Sequence, residues 1–475
     1  MTVQTERPTA VLPVSTLSAR SLYTVLLGTA LPLIDYFIVN VALPTIGADL
    51  ATSAATLELI VAGYGVAFAT LLVLGGRLGD AFGRRRLYQL GLTAFTITSL
   101  ACGIAPDAVT LVIARIAQGA SAALMFPQVL AIIQAGTTGL DRSRALGKYG
   151  ATAGSAMVVG QLLGGLLVAA DIAGTSWRPI FLVNVPIGLF GLLSSRRLPE
   201  SRSSVPLGAD RLGTALLGLT LLAFLIPVTE GRALGWPVWA WVLLAVSPIG
   251  AVALVRSQRR AERAGRTPLL PPSVLRMPGM RRGLTIGVPF FAAFGGMMFV
   301  YAVTLQDGLH LGPAQAGLAM TPMAVAFLFT ALASSRLVTR YGHWVVVAGG
   351  ALQGVGLLSL AGAFGLAWPD VTVLDLAPGM VVCGIGQGMA VTTLFRVVLA
   401  GVPADLAGVG SGALSTTQQA SNAFGVAVMG SLFSGLTASG ALDMRTAFLL
   451  VLGLQLIGSI VVVTAGRKLP DPRVS

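Results

Sequence analysis

Gly76-Arg77-Leu78-Gly79-Asp80-Ala81-Phe82-Gly83-Arg84 follows the second long apolar stretch of the chain, and Ser335-Arg336-Leu337-Val338-Thr339-Arg340-Tyr341-Gly342-His343 follows the tenth. Arg-Leu, an aromatic ring and a glycine recur in both at the same spacing. Arg115-Ile116-Ala117-Gln118-Gly119 in the fourth stretch is echoed by Gly384-Ile385-Gly386-Gln387-Gly388 in the twelfth. The two pairs share one offset, eight stretches. Two six-helix halves, with two further stretches inserted between them, account for it. Duplicated halves around a midplane site are the architecture of a secondary transporter.

The stretches are membrane spans. Of the 475 residues 55% are hydrophobic and 10% charged, against roughly 25% charged in soluble domains. A helix needs roughly 20 apolar residues to cross a bilayer, and cutting the chain at charges and turn residues gives fourteen such spans, the first starting at Ser21 and the last ending at Gly466. The fold class expected is an all-α polytopic membrane protein. Its divisions are a tail over residues 1–20, an N-terminal six-helix bundle over 21–196, linkers and an inserted hairpin over 197–282, a C-terminal six-helix bundle over 283–466, and a tail over 467–475. The first apolar stretch has full span length and no small-residue cleavage site, so it reads as a helix that stays and not as a removed signal.

Orientation follows from the basic residues, which collect in cytoplasmic loops. With both termini inside, all but four of the 31 Lys and Arg residues face the cytoplasm; the exceptions are Arg115, Arg178, Arg232 and Arg445. The net charge of +13 is therefore a topological signal and does not call for nucleic acid as a partner. Cys102 and Cys383 lie in apolar stretches and read as small core residues. His310 and His343 are far apart, with no metal-site pattern near either. No nucleophile, metal or cofactor constellation marks an enzyme, and no Walker lysine motif marks direct use of ATP.

Asp35 is the one acid near the middle of a span, and Arg115 is the one basic residue within a span and away from its cytoplasmic end. A lone ionisable group there costs roughly 2.5–3.5 kcal/mol on insertion scales, so each needs a partner or water. At 1.5 Å per residue Asp35 lies roughly 20 Å from the inner end of its helix and Arg115 about 10 Å from the outer end of its own. The two depths match. Asp35 and Arg115 are the candidate proton-coupling pair, the alternative being a permanent ion pair that fixes helices 1 and 4.

Asn40, Tyr64, Gln118, Gln161, Gln387, Gln418 and Asn422 are candidates to line a cavity, each with interhelical hydrogen bonding as its plainer alternative. Gln418 and Asn422 share a helix face by their spacing. Gln419 and Glu58 are weaker candidates. In the first inner loop Gly76, Asp80, Gly83, Arg84 and Arg85 form a candidate conformational gate, a carboxylate and guanidinium groups around a tight turn.

These residues resemble the motifs of the major facilitator superfamily, and within it the fourteen-helix drug:proton antiporters. Leu33 to Pro44 resembles the first-helix signature of that family, Gly76 to Leu87 the superfamily's loop motif, Leu111 to Ala123 the fourth-helix motif with its arginine, and Trp177 to Gly188 the entry to helix 6. Helix 5 departs from the pattern: Gly160-Gln161 stands where the family has Gly-Pro. The resemblance implies the major facilitator fold and alternating access. It also implies export of lipophilic drugs, cationic ones among them, or of secondary metabolites, driven by a proton gradient with no bound cofactor. The partners are then a small molecule, protons and the bilayer, the state a monomer, and the location the inner (cytoplasmic) membrane. A proton symporter for a nutrient or peptide is the second reading, and a receptor or scaffold the third.

Overall fold

A computed structural model describes residues 17–137, 139–202, 210–231, 234–266, 268–400, 402 and 407–469. Most of the expected tails, and Arg232, fall outside this set. The described chain folds into α1 (Ala19–Asp49), α2 (Ala54–Phe82), α3 (Arg84–Gly103), α4 (Ala108–Gly136), α5 (Gly139–Ala170), α6 (Pro179–Leu182), α7 (Asn184–Ser195), α8 (Arg211–Glu230), α9 (Val238–Arg263), α10 (Pro272–Arg276), α11 (Pro278–Val303), α12 (Pro313–Tyr341), α13 (Trp344–Ala367), α14 (Val373–Ala400), α15 (Ala407–Ala438) and α16 (Met444–Gly466). No strand occurs among the described residues.

Local chemistry sets the ends of these helices. Ser18, Ser53 and Asp107 cap α1, α2 and α4 by accepting the backbone N–H three residues on, which satisfies a donor that the first helical turn leaves open. Gly83 sits at φ +112, a left-handed value that favours glycine. It lets the chain turn from α2 straight into α3. The expected sixth span is split at Val183 into α6 and α7, because Pro186 has no N–H to return to the carbonyl of Leu182. α9 runs to Arg263, about two turns past the expected end, and α10 is an extra short helix that apolar periodicity does not reveal.

Eleven helices among the described residues are long and apolar enough to cross a membrane. α3, the α6–α7 pair and α15 complete the fourteen expected stretches without meeting that measure. α3 begins on Arg84-Arg85-Arg86, α6 and α7 are short, and α15 is rich in Ser, Thr and Gly. They pack as closely as the others: α3 lies on α4 and α7, and α15 lies on α2 and α11. The protein is a polytopic all-α membrane protein.

α1 is central and α9 peripheral, since 78% of the most apolar window of α1 is buried against 11% of that of α9. α2 packs along α4 and α15, α5 along α1 and α12, and α11 along α15 and α16. Glycines permit these close crossings. A Cβ at Gly425 of α15 would overlap the carbonyl of Ala292 in α11, and one at Gly75 of α2 would overlap the carbonyl of Ala123 in α4. Gly425→Val is therefore expected to destabilise the fold by about 1–3 kcal/mol through overpacking; thermal unfolding of the purified protein in detergent checks this, and an unchanged midpoint would contradict it.

α8 of the inserted hairpin covers the seam where α2 meets α15. Phe224 stacks on Phe424 with ring centroids 4.7 Å apart, and Gly218 lies against Thr70. The α8–α9 pair is thus wedged onto α2 and α15 on one side and faces outward on the other.

Candidate functional site

α1 carries Asp35 in its middle, fully buried, and α4 brings Arg115, equally buried, against it. Arg115 Nη1 donates to Asp35 Oδ2 and to Gln118 Oε1 at 2.7 Å. Gln118, one turn along α4, donates from Nε2 to Asp35 Oδ1 at 2.9 Å and to Ser99 Oγ of α3 at 2.9 Å. Asn184, at the start of α7, donates to the same Oδ1 at 2.9 Å. One carboxylate therefore receives a guanidinium and two amides, supplied by two other helices.

The cation is fixed from its other sides. Arg115 Nε donates to the carbonyl of Ile60 in α2 at 3.2 Å. The guanidinium carbon lies 4.3 Å from the ring centre of Tyr64 and 5.6 Å from that of Phe181, an attraction between cation and ring face that grows as water is removed. The Tyr64 hydroxyl donates to the carbonyl of Pro32, 3.1 Å away, which ties the ring to the same part of α1. This arrangement can hold a negative charge at mid-helix. Protonation of Asp35 would turn the charge-assisted bond from Arg115 into a bond to a neutral group and so weaken the tie between α1 and α4. Charge-assisted bonds are roughly twice as strong as neutral ones.

The Gly83 turn lies at the other end of α2. Arg84 pairs with Asp80, one helical turn back, at 2.8 Å and donates to the carbonyl of Ala131 in α4 at 3.3 Å. Arg85 is held by the segment after α7: its N–H donates to Glu200 Oε1 at 3.0 Å and its Nη1 to the carbonyl of Leu198 at 3.0 Å. Gly76 lies beside Pro127 of α4. The motif thus binds the α2–α3 turn to α4 and to the end of α7.

At the opposite end, where α1 finishes and α2 begins, side chains bridge the N-terminal and C-terminal helices. Ser431 Oγ of α15 lies 2.7 Å from Glu58 Oε2 of α2 and 2.8 Å from the carbonyl of Val228 in α8. Gln306, in the π-turn Thr304–Gly308 that follows α11, donates to the carbonyl of Val41 at 2.8 Å. A Cβ at Gly165 of α5 would fall 2.8 Å from the carbonyl of Pro313 at the start of α12. This end is closed.

The family model described as Major Facilitator Superfamily matches residues 25–426, nearly the whole helical chain. The chain belongs to the major facilitator superfamily. It is 38% identical over 422 residues to a Streptomyces coelicolor protein named "Probable actinorhodin transporter", covering 88% of this chain and 73% of that one. It is 33% identical over 434 residues to a puromycin resistance protein of Streptomyces alboniger, covering 90% and 84%. A third relative is a cephamycin export protein of Amycolatopsis lactamdurans, 34% identical over 411 residues, covering 83% and 81%. Among solved structures, a POT family transporter with a bound thioalcohol-conjugated peptide superposes with a TM-score of 0.70 at 13% identity over 94% of this chain and 96% of that one. A D-xylose–proton symporter does so with a TM-score of 0.65 at 16% identity, over 96% and 99%. The chain is a major facilitator transporter and not an enzyme.

The candidate cavity residues of this transporter fall into different settings. Tyr64 and Gln118 belong to the Asp35 cluster, and Asn40 is turned onto the carbonyl of Tyr36 in its own helix at 2.8 Å. Gln161 of α5 and Gln387 of α14 are buried with both amide atoms free of hydrogen-bond partners among the described residues, as is Oδ1 of Asn422. Gln418 is half-buried. Sequence reading did not single out Asn184, Ser99 or Glu200. Asn184 had a visible signal, an amide inside an apolar span two residues before a proline. Glu200 had none, because its role depends on where a loop folds back.

Proposed function

We propose that this transporter exports lipophilic small molecules, cationic drugs or antibiotic-like secondary metabolites among them, in exchange for protons by alternating access. The observation that carries the reading is the buried Asp35–Arg115–Gln118–Asn184 cluster, a single titratable acid at mid-helix in a chain whose relatives bear names of antibiotic export and resistance. Asp35 takes up the proton. Arg115 and the two amides stabilise the carboxylate when the proton leaves, so proton loss and reformation of the α1–α4 bond are one event. Protonation loosens α1 from α4, and the helices that line the substrate path shift with it.

In this reading residues 21–196 and 283–466 are the two rocking bundles, 197–282 carries the inserted hairpin, and the spans number fourteen. Both termini lie in the cytoplasm and the protein sits in the inner membrane as a monomer. The Glu58–Ser431 end is the closed external side. Asp80, Arg84 and Arg85 with Gly76 and Gly83 form the inner gate. Gln161, Gln387, Gln418 and Asn422, with Asn40 and Tyr64, face substrate. Buried amides without partners are costly, by about 1–3 kcal/mol each, and a ligand carrying carbonyl or hydroxyl groups satisfies them. The partners are substrate, protons and lipid, with no nucleic acid and no bound cofactor. Each proton entering down 100 mV supplies about 2.3 kcal/mol.

The test is a panel of lipophilic cations and neutral antibiotics presented to proteoliposomes under an imposed pH gradient. Substrate moving against the proton flux is the expected result. Substrate moving with the protons would make the protein a symporter, and no gradient-dependent movement of any compound would return the receptor reading to first place.

A further inference from the structure

The inserted hairpin carries a groove for which the transport cycle has no use. It lies between α8 and α9 toward their Arg211 and Arg263 ends and has a volume of about 830 Å³. Its walls are apolar. Leu212, Leu216, Ile249 and Val252 line it, and Leu212, Ile249 and Val252 are at least half exposed, as side chains facing hydrocarbon should be.

Its mouth is cationic. Arg256 and Arg260, one helical turn apart on α9, share a face, and Arg266 in the turn after α9 reaches the same opening. All three are exposed. None of them is among the ion pairs found between described residues. The acid in the lining, Asp210, is already committed: Oδ1 accepts the N–H of Gly213 at 2.8 Å, and Oδ2 accepts Gln258 Nε2 at 2.8 Å and the N–H of Leu269 at 2.9 Å. Burial works against its charge, and these bonds with the nearby Arg77 guanidinium overcome that and hold its carboxyl below the usual value. The acid thus serves to fasten the base of the hairpin and forms no ion pair with the three arginines, so the mouth stays net positive.

Three guanidinium groups without an ion-pair partner among the described residues, set at the end of an apolar channel, match a ligand with an anionic head and a hydrocarbon tail. Guanidinium forks bind phosphate oxygens two at a time, and basic pockets between membrane helices on the cytoplasmic side are suited to anionic headgroups. We propose that this groove binds an anionic phospholipid, with its phosphate held by Arg256, Arg260 and Arg266 and one acyl chain lying along Leu212, Leu216, Ile249 and Val252. The lipid then seals the outward-facing side of the hairpin whose other side is wedged onto α2 and α15. A zwitterionic lipid fits less well, because its own ammonium cancels the phosphate charge that the arginines would meet.

The experiment uses the whole transporter in detergent and needs no substrate, so it stands apart from the test of export. Native mass spectrometry counts retained phosphatidylglycerol or phosphatidylcholine. The wild-type protein is expected to retain phosphatidylglycerol preferentially, each of R256Q, R260Q and R266Q to lower that retention about fivefold, and V252W to displace the lipid by filling the channel. Phosphatidylglycerol, but not phosphatidylcholine or inorganic phosphate, is expected to raise the unfolding temperature of the wild-type protein, a measurement that does not depend on any variant folding. Wild-type retention in a variant that combines R256Q, R260Q and R266Q, equal retention of phosphatidylcholine, or stabilisation by inorganic phosphate alone would each overturn the proposal.

Discussion

Asp35→Asn is expected to abolish pH-gradient-driven transport in inside-out vesicles while leaving the protein folded and correctly inserted. The reason lies in what asparagine keeps and what it loses. Its carbonyl oxygen still accepts from Gln118 and Asn184, which meet the same carboxylate oxygen at 2.9 Å each. Its amide nitrogen faces the Arg115 guanidinium, donor against donor, where a carboxylate oxygen once accepted. That mismatch leaves a buried cation without its counter-charge and costs about 3–5 kcal/mol before relaxation, offset in part because Ile60, Gln118 and the Tyr64 and Phe181 rings still hold the guanidinium. The titratable proton is gone altogether. With one proton exchanged per substrate, each pH unit sustains about a tenfold substrate ratio, and the variant should show a ratio near one. Downhill counterflow of labelled substrate separates loss of coupling from loss of binding. If the variant still accumulates substrate against its gradient, Asp35 is not the coupling acid and the pair with Arg115 is a structural tie.

Arg115→Ala is expected to be the more damaging change to the fold. It leaves the Asp35 carboxylate buried with two neutral amides as its remaining donors, removes the bond to Ile60, and takes the cation from between Tyr64 and Phe181. Breaking one side of a buried ion pair costs about 3–5 kcal/mol, which should appear as a large fall in the unfolding temperature in detergent. The double variant Asp35→Asn/Arg115→Ala removes both charges together and should regain much of the stability that Arg115→Ala alone loses, without regaining driven transport. Non-additivity in stability with no recovery of transport is the signature of a pair that holds the helices and also carries the proton. Additive losses in stability would contradict the pairing. Arg115→Lys is a sharper probe of geometry, since an ammonium keeps the charge but lacks the planar fork that reaches Asp35, Gln118 and Ile60 at once.

The site was legible from the sequence to the extent that charge is rare in a bilayer. Asp35 and Arg115 stand out because an ionisable residue in a span is costly, and matching their depths needs only the helical rise. Gln118 stood out as an amide three residues from the arginine. Asn184 lay within a stretch of recognisable sequence, yet nothing in its spacing shows that the break before Pro186 aims it at α1. Glu200 was invisible, because a surface glutamate in a linker becomes a partner for Arg85 only when the chain after α7 folds back onto the α2–α3 turn. The hairpin groove was hidden for a similar reason: Arg256, Arg260 and Arg266 read as topology markers until α8 places an apolar wall beside them.

The sequence alone determined that the chain is helical and spans a membrane and where its apolar stretches lie, although α9 runs about two turns past its expected end and α10 gave no signal. Composition and periodicity settle these matters because burying backbone in lipid leaves the helix as the available solution for an apolar stretch of that length. The tertiary structure decided which residues meet. It set α1 against α4 so that a carboxylate and a guanidinium 80 positions apart in the chain share one bond, it laid α8 across the α2–α15 seam, and it left one side of the inserted hairpin outward with three arginines that have no ion-pair partner among the described residues. Such contacts depend on the register and rotation of packed helices, which are fixed by glycine crossings such as Gly425 on Ala292 and by single polar bonds. Hydropathy averages over a helix turn and cannot see either.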